Sequence, residues 1–230
     1  MSPPYEPAPP HREIGPTLAR SWELFKEHAG ILLGATLTIG VASGVLSGIT
    51  QIVQALLQPS GEDAARALPG LVGLLLALLS WVVQTFLTLG YVRLLLHGVR
   101  GEPAAFGDLF TAAPVLVPGL VAGLLVGLAT LAGTCLLVVP GVVVALGTLW
   151  VNWVLVDQGL GPIEAVRESW RLANGEKGHL FLWVLVACVV AIVGLLACGV
   201  GLLVALPVLG LGTTILYDDR VRSKRRDGRL

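Results

Sequence analysis

Residues 109–156 contain no Asp, Glu, Lys, Arg or His, and residues 29–61 and 180–217 are equally bare. No other feature of the chain restricts its fold as much. A helix in a soluble protein keeps one face for water and is seldom apolar all round for so long. Within residues 115–135, ten Leu or Val residues supply roughly −3 to −6 kcal/mol of insertion free energy, which the glycines and Pro118 only partly offset. Charged residues make up 13% of the chain, against about 25% in a soluble domain. The expected solvent is a lipid bilayer. With a net charge of zero there is no global field directed at nucleic acid, which is not an expected partner.

The bare runs exceed single crossings. As one straight helix, residues 109–156 would extend ~72 Å against a hydrocarbon core of ~30 Å. The run must fold back, with Gly133-Thr134 and Pro140-Gly141 as turn candidates and spans near 115–131 and 142–156. Residues 180–217, ~57 Å if straight, fold back at Cys198-Gly199-Val200-Gly201, with a kink at Pro207. The first pair of spans covers residues 29–57 and 70–91, across a polar link at 58–68 that is punctuated by Pro59 and Gly61. The run from Ala29 is too long for a signal-peptide core and is expected to stay in the membrane. The sequence predicts an all-α polytopic bundle of six transmembrane helices in three hairpins.

Two stretches have a different pattern. In residues 14–27, Ile14, Leu18, Trp22 and Phe25 recur at helical spacing among charges, with Gly15-Pro16 suited to a helix start. In residues 161–173, Ile163, Val166, Trp170 and Ala173 form a stripe after Gly161-Pro162, and Asn174-Gly175 supplies a stop. Both read as amphipathic helices in the membrane interface. They also carry related strings, Arg20-Ser21-Trp22-Glu23-Leu24 and Glu168-Ser169-Trp170-Arg171-Leu172, and each leads into a span. A patch at Phe106, Leu109 and Phe110 reads as a degenerate third copy, giving three repeated units. Residues 1–13 hold five prolines and nothing to build a core, so they are expected to form a disordered cytoplasmic tail. The membrane domain is expected over residues 14–217, with a basic cytoplasmic tail over 218–230.

With six crossings, fourteen of the fifteen Lys and Arg residues fall on one side and Arg66 alone on the other. Arg220, Arg222, Lys224, Arg225 and Arg226 in the tail make up much of that bias. By the positive-inside rule both termini are cytoplasmic. Trp22 and Trp170 on the amphipathic helices, with Trp183, Tyr91, Trp150, Trp153 and Tyr217 at span ends, are expected to form an interfacial belt. Trp81, in mid-span, is expected to pack between helices.

Glycine supplies the expected packing code. Gly40, Gly44 and Gly48 in the first span and Gly119, Gly123 and Gly127 in the third are spaced four apart, and Ala187, Ala191 and Gly194 echo them in the fifth. Such stripes let helix backbones approach closely in lipid, so the odd-numbered spans are expected to form the inner contact.

No arrangement suited to catalysis appears. Ser21 and Ser169 lack a histidine–carboxylate partner set. The glycine-rich stretches lack the Gly-Lys-Ser/Thr ending of a phosphate loop. Cys135, Cys188 and Cys198 are unpaired by spacing and read as buried small hydrophobes. His28, His97 and His179 lie near one boundary but without metal-site spacing. Gln51, Gln54, Gln58, Gln84, Thr85, Thr88 and Asn152 either line a polar path or, more commonly, bond between helices. Neither enzyme activity nor a cofactor or metal is expected.

Pro140-Gly141, the run from Gly161 to Leu172, and Arg20-Ser21-Trp22-Glu23-Leu24-Phe25-Lys26 together resemble a bacterial membrane family. It comprises the membrane domain attached to some glycerophosphoryl diester phosphodiesterases and its stand-alone relatives. The resemblance spans roughly residues 14–217 and implies a helical fold in the bacterial cytoplasmic (inner) membrane. It implies no phosphodiesterase activity, because that chemistry resides in a separate soluble barrel. The function expected is a non-catalytic module organising membrane lipids or partner proteins, with a membrane protein partner or a homo-oligomer as candidates. A transporter or permease-like subunit is the alternative.

Overall fold

The apolar runs become helices in a computed structural model of the chain, which describes residues 14–57, 67–136, 138–196 and 199–226. The helices are α1 (Ile14–Leu56), α2 (Ala67–Arg100), α3 (Ala113–Leu136), α4 (Val138–Gly147), α5 (Val151–Gln158), α6 (Pro162–Ala173), α7 (Lys177–Leu196) and α8 (Val200–Arg226). A 3-10 turn at Phe106–Phe110 precedes α3, and no strand occurs among the described residues. Six segments are long and apolar enough to cross a membrane, the fourth made of α4 and α5 together. The chain is an all-α helical bundle. Residues 1–13, 58–66 and 227–230, which include most of the expected N-terminal tail and polar link, lie outside the described residues.

Local signals place several boundaries. α1 bends at His28, whose φ of −116° and ψ of 20° leave the helical region, so the amphipathic stretch and the first span form two arms of one element. Pro162 opens α6 after an extended Gly161, since its missing N–H and fixed φ suit the first helical position. Gly175 takes a positive φ of 86° just beyond that helix.

Other boundaries differ from the sequence reading. α2 does not end near Tyr91 but continues to Arg100, because Val92, Leu95, Leu96 and Val99 all find buried seats. Gly133 and Gly141 are not the turn between α3 and α4. They lie inside the two helices, where a Cβ on Gly133 would meet the Gly141 backbone at 3.1 Å, so they permit close crossing just before the reversal. α8 runs unbroken through Pro207 and on to Arg226. The presumed separate tail therefore begins as the last turns of a packed helix, with Asp218 and Val221 buried.

The fourth span is broken at residues 148–150 by another helix. The Ser169 hydroxyl of α6 donates to the Gly147 carbonyl at 3.0 Å and accepts from the Trp150 N–H at 3.2 Å. A side chain inserted into the i to i−4 ladder is a recognised cause of helix breaks. Ser169 thus occupies the gap between α4 and α5.

The inner contact is made by the even-numbered spans, not the odd ones. α2 packs on α5 and on α8, while α1, α3 and α7 lie chiefly against α2 and α8, α4, and α8 respectively. Gly40, Gly44 and Gly48 have no atom within 4 Å of an added Cβ, and neither has Gly127. Gly119 does pack, with Leu89 Cδ1 2.6 Å from such a Cβ, and a Cβ on Gly123 would meet the Trp81 ring at 3.7 Å. Both partners are on α2, an even span.

Three glycines on even spans take the closest approaches. The backbone of Leu109, in the 3-10 turn, lies against Gly90 of α2. The Trp170 ring lies against Gly147 of α4, and Trp183 together with Ser21 lies against Gly212 of α8. At Gly90 and Gly147 the segment that lands leads into the next odd span and comes from a different hairpin. At Gly212 the nearest ring is that of Trp183 in α7, the other half of its own hairpin, with Ser21 of the first arm of α1 next to it.

Candidate functional site

Charge collects at one end of the bundle, where α2, α5 and α8 finish. Arg100, at the end of α2, donates from Nη1 to Asp157 Oδ1 on α5 at 2.6 Å and from Nε to Asp218 Oδ1 on α8 at 3.1 Å. Arg222 holds the other oxygen of Asp218 at 2.7 Å. The Tyr217 hydroxyl donates to Asp157 Oδ2 at 2.9 Å and accepts from Gln158 at 3.2 Å. Asp157 and Asp218 are only 8% and 5% exposed, and Arg100 26%. So small an exposure demands pairing, because a lone buried charge is strongly destabilising. One guanidinium thus fastens three helices.

A second set fastens the periphery. Arg220 donates to Glu176 at 2.8 Å and to the carbonyls of Leu172 and Asn174, satisfying acceptors at the end of α6 that its own helix leaves open. Lys224 reaches the Arg171 carbonyl. Of the predicted basic tail, Arg220, Arg222 and Lys224 are therefore bonded to the bundle, while Arg225 and Arg226 are exposed at the end of α8.

Beside the Arg100 knot opens a polar cleft of about 370 Å³. Arg93, His97 and Arg100 line it from one face of α2, opposite Glu102, Asp108, Thr111 and Asp157. Asp108 Oδ2 accepts from the Ala105 N–H and the His97 ring, both at 3.0 Å. Burial opposes ionisation of Asp108, but those two bonds and the nearby charges of His97 and Arg93 outweigh it, so its pKa lies below the usual carboxylate value. Arg93 Nη1 donates to the carbonyl and hydroxyl of Thr111 at 3.0 and 2.9 Å.

The tryptophans divide into two groups. Trp22 is 47% exposed, and Trp170 is half-buried beneath the Lys177 ammonium, 4.1 Å from its ring centre. Trp183, expected in the interfacial belt, is instead core at 1% exposure. Its indole N–H donates to Thr213 at 3.1 Å and its ring fills the space that Gly212 leaves. Trp150 and Tyr217 are likewise fully buried and meet edge to face. The free cysteines Cys135 and Cys188 are exposed, not buried; each faces outward from an apolar helix.

On α6 the buried face is Ala165, Ser169, Leu172 and Ala173, with Ile163 exposed. The stripe is thus rotated from the one read in the sequence, because the Ser169 hydroxyl must enter the fourth span. Polar residues within the first two spans bond from helix to helix: Gln84 of α2 to Ser43 of α1, and Thr36 of α1 with Tyr91 of α2 at 3.4 Å. His28 contacts the Leu24 carbonyl and His97 contacts Asp108; among the described residues no three potential ligands gather to hold a metal. An apolar groove of about 650 Å³ separates Leu18 and Trp22 from Val190, Val204 and Val208 of the last hairpin.

Sequence reasoning missed Arg100, Asp157, Asp218 and Tyr217 as a group. The signal was present: charged residues follow the apolar run of each even span, Arg93 and Arg100 after the second, Asp157 after the fourth and Asp218 after the sixth, and their signs are complementary.

Similarity to other proteins runs in one direction. An uncharacterised protein of Mycobacterium tuberculosis (strain ATCC 25618 / H37Rv) is 26% identical over 212 residues, covering 86% of this chain and 65% of that protein. Uncharacterised proteins of Mycobacterium bovis and of Mycobacterium tuberculosis CDC 1551 match with the same identity and coverage. The chain thus spans 65% of the length of these relatives. No family model and no solved structure matches.

Proposed function

We propose that the chain is a non-catalytic module of a bacterial cytoplasmic membrane that organises lipid or partner proteins, with both termini in the cytoplasm. The observation that carries this reading is the pairing of Arg100 with Asp157 and Asp218. These nearly buried charges are engaged in holding helices together. Outside that knot the surface consists of exposed Leu, Val and Ile along the spans, a face suited to lipid tails or to another membrane helix. The gathering of Arg93, Arg100, Arg171, Arg220 and Lys224 at the knotted end supports a cytoplasmic placement for that end. The resemblance of residues 161–172 to the phosphodiesterase-linked membrane domain belongs to the same reading and adds no chemistry.

Crosslinking in native membranes, followed by identification of what is attached, tests the proposal. A discrete lipid class or membrane protein is the expected product. Recovery of the chain alone, in membranes unaffected by its loss, counts against it.

A permease-like role is the second reading. It draws on the matching seats that Leu109 takes at Gly90 and Trp170 at Gly147, which fit repeated units, and repeats are common in transporters. Substrate-dependent flux into proteoliposomes would favour it over the first.

A further inference from the structure

We infer that the cleft beside Arg93 binds the zwitterionic phosphodiester headgroup of a membrane lipid, with Arg93 taking the phosphate and Glu102 the primary ammonium. The inference relies on the membrane setting of the proposed function but not on the absence of catalysis.

Depth comes first. Arg93 is the first charged residue of α2 after the apolar run that begins at Gly70. It therefore sits where hydrocarbon gives way to phosphate, the level at which long basic side chains meet headgroups. A cleft of about 370 Å³ opens at that level, large enough for a headgroup.

Charge and bonding come next. The two acids deepest in the cleft are already held by protein donors. Asp157 accepts from Arg100 and Tyr217, and Asp108 from His97 and the Ala105 N–H. Arg93 is fixed by Thr111 through neutral oxygens only, at one of its nitrogens. Its guanidinium is pre-oriented beside an open space and near a phosphate plane, and a planar fork of this kind recognises phosphate with two donors.

The other side of the cleft decides which phosphate. Glu102 is 54% exposed and lies 3.6 Å from His97 Nε2, a loose contact that leaves its carboxylate available at the rim. Together with Asp108 and Asp157 it would repel a group carrying only negative charge. A phosphodiester bearing its own cation avoids that repulsion, and a primary ammonium can donate to Glu102 where a trimethylated one cannot. The geometry therefore points to an ethanolamine-type headgroup ahead of a choline or glycerol one.

The test is lipid retention by the purified full chain in nanodiscs of equimolar phosphatidylethanolamine, phosphatidylcholine and phosphatidylglycerol. Bound lipid is read by native mass spectrometry after mild delipidation. One phosphatidylethanolamine is expected to persist at about tenfold excess over either competitor. Arg93→Gln should lower that retention about tenfold. Because Arg93→Gln also removes the bonds to Thr111, Glu102→Gln serves as the second variant: it leaves those bonds in place and should abolish the preference over phosphatidylglycerol. Equal retention of all three lipids, or unchanged retention in a folded Glu102→Gln protein, overturns the inference. Displacement by soluble phosphoethanolamine at the same concentration overturns the lipid assignment in favour of a free phosphoester. Failure here leaves the crosslinking result untouched, so the two readings stand or fall separately.

Discussion

The two ends of this bundle are built on different principles. At the charged end, Trp150, Trp183, Tyr217, Leu155, Leu172 and Leu180 are fully buried, and ionic and hydroxyl bonds cross from helix to helix. At the opposite end, Leu56, Leu196 and Val139 are 79%, 78% and 71% exposed. A bilayer explains the difference. Apolar side chains gain nothing by leaving lipid for each other, so helices there are held by close packing and polar bonds alone. Near water the hydrophobic effect returns and a conventional core becomes possible. The same chain therefore uses a soluble-protein core at one end and lipid-facing spans at the other.

Substitutions can break that contrast, and their expected effects fall in order. Arg100→Met should cost most, about 3–5 kcal/mol, because it leaves the nearly buried Asp157 without a cation and Asp218 with Arg222 alone. Equilibrium unfolding in mixed micelles, followed by near-ultraviolet circular dichroism from Trp150 and Trp183, would measure it. A loss under about 1 kcal/mol would mean that the knot does not hold the bundle.

Gly90→Ala should cost about 1–3 kcal/mol, the usual result of overpacking, since the Leu109 backbone occupies the space a methyl needs. Its counterpart Gly44→Ala, with nothing within 4 Å, should be neutral or add up to about 1 kcal/mol through helix propensity. If both behave alike in the same assay, the two ends are not distinct.

Ser169→Ala should cost about 1–3 kcal/mol, because the buried Trp150 N–H loses its acceptor. Thr134→Val at the other end removes only an exposed bond to the Thr130 carbonyl and should shift stability by under about 0.5 kcal/mol. Thermal unfolding of the pair separates them.

The smallest effect is one of pH. The folded carboxyl of Asp108 lies below its ordinary pKa. Its contribution is therefore fully present above the unfolded value and is lost as pH falls through the folded one. Asp108→Asn should flatten the acid side of the stability profile without altering it near neutrality by more than the cost of the lost bonds. An unchanged acid limb would remove Asp108 from the account.

Local chemistry was readable in the sequence where it acts within a few residues. The bend at His28 between polar and apolar stretches, the start of α6 at Pro162 and the turn at Gly199 all follow from spacing and backbone preference. Contacts between distant segments were less visible. Trp22 and Trp183 look alike as aromatics near span ends, yet only Trp183 is core, because Gly212, far along the chain, leaves room for its ring. The stripe at Gly40, Gly44 and Gly48 looked like a packing face because of its regularity. Gly90, solitary and without pattern, receives the tightest approach. The charged knot was hidden differently: Asp157 and Asp218 read as ordinary boundary residues until α5 and α8 are placed beside Arg100.

The seat of Ser21 against Gly212 has a consequence for biosynthesis. The first arm of α1 leaves the ribosome long before α8 exists, so its docking surface is missing for most of translation. Until the last span is inserted, Phe25 and Leu18 must be sheltered by the membrane surface or by other proteins. Closure of the bundle is then a late event joining its earliest segment to its latest, and truncating the nascent chain before Gly212 should leave that arm open to protease.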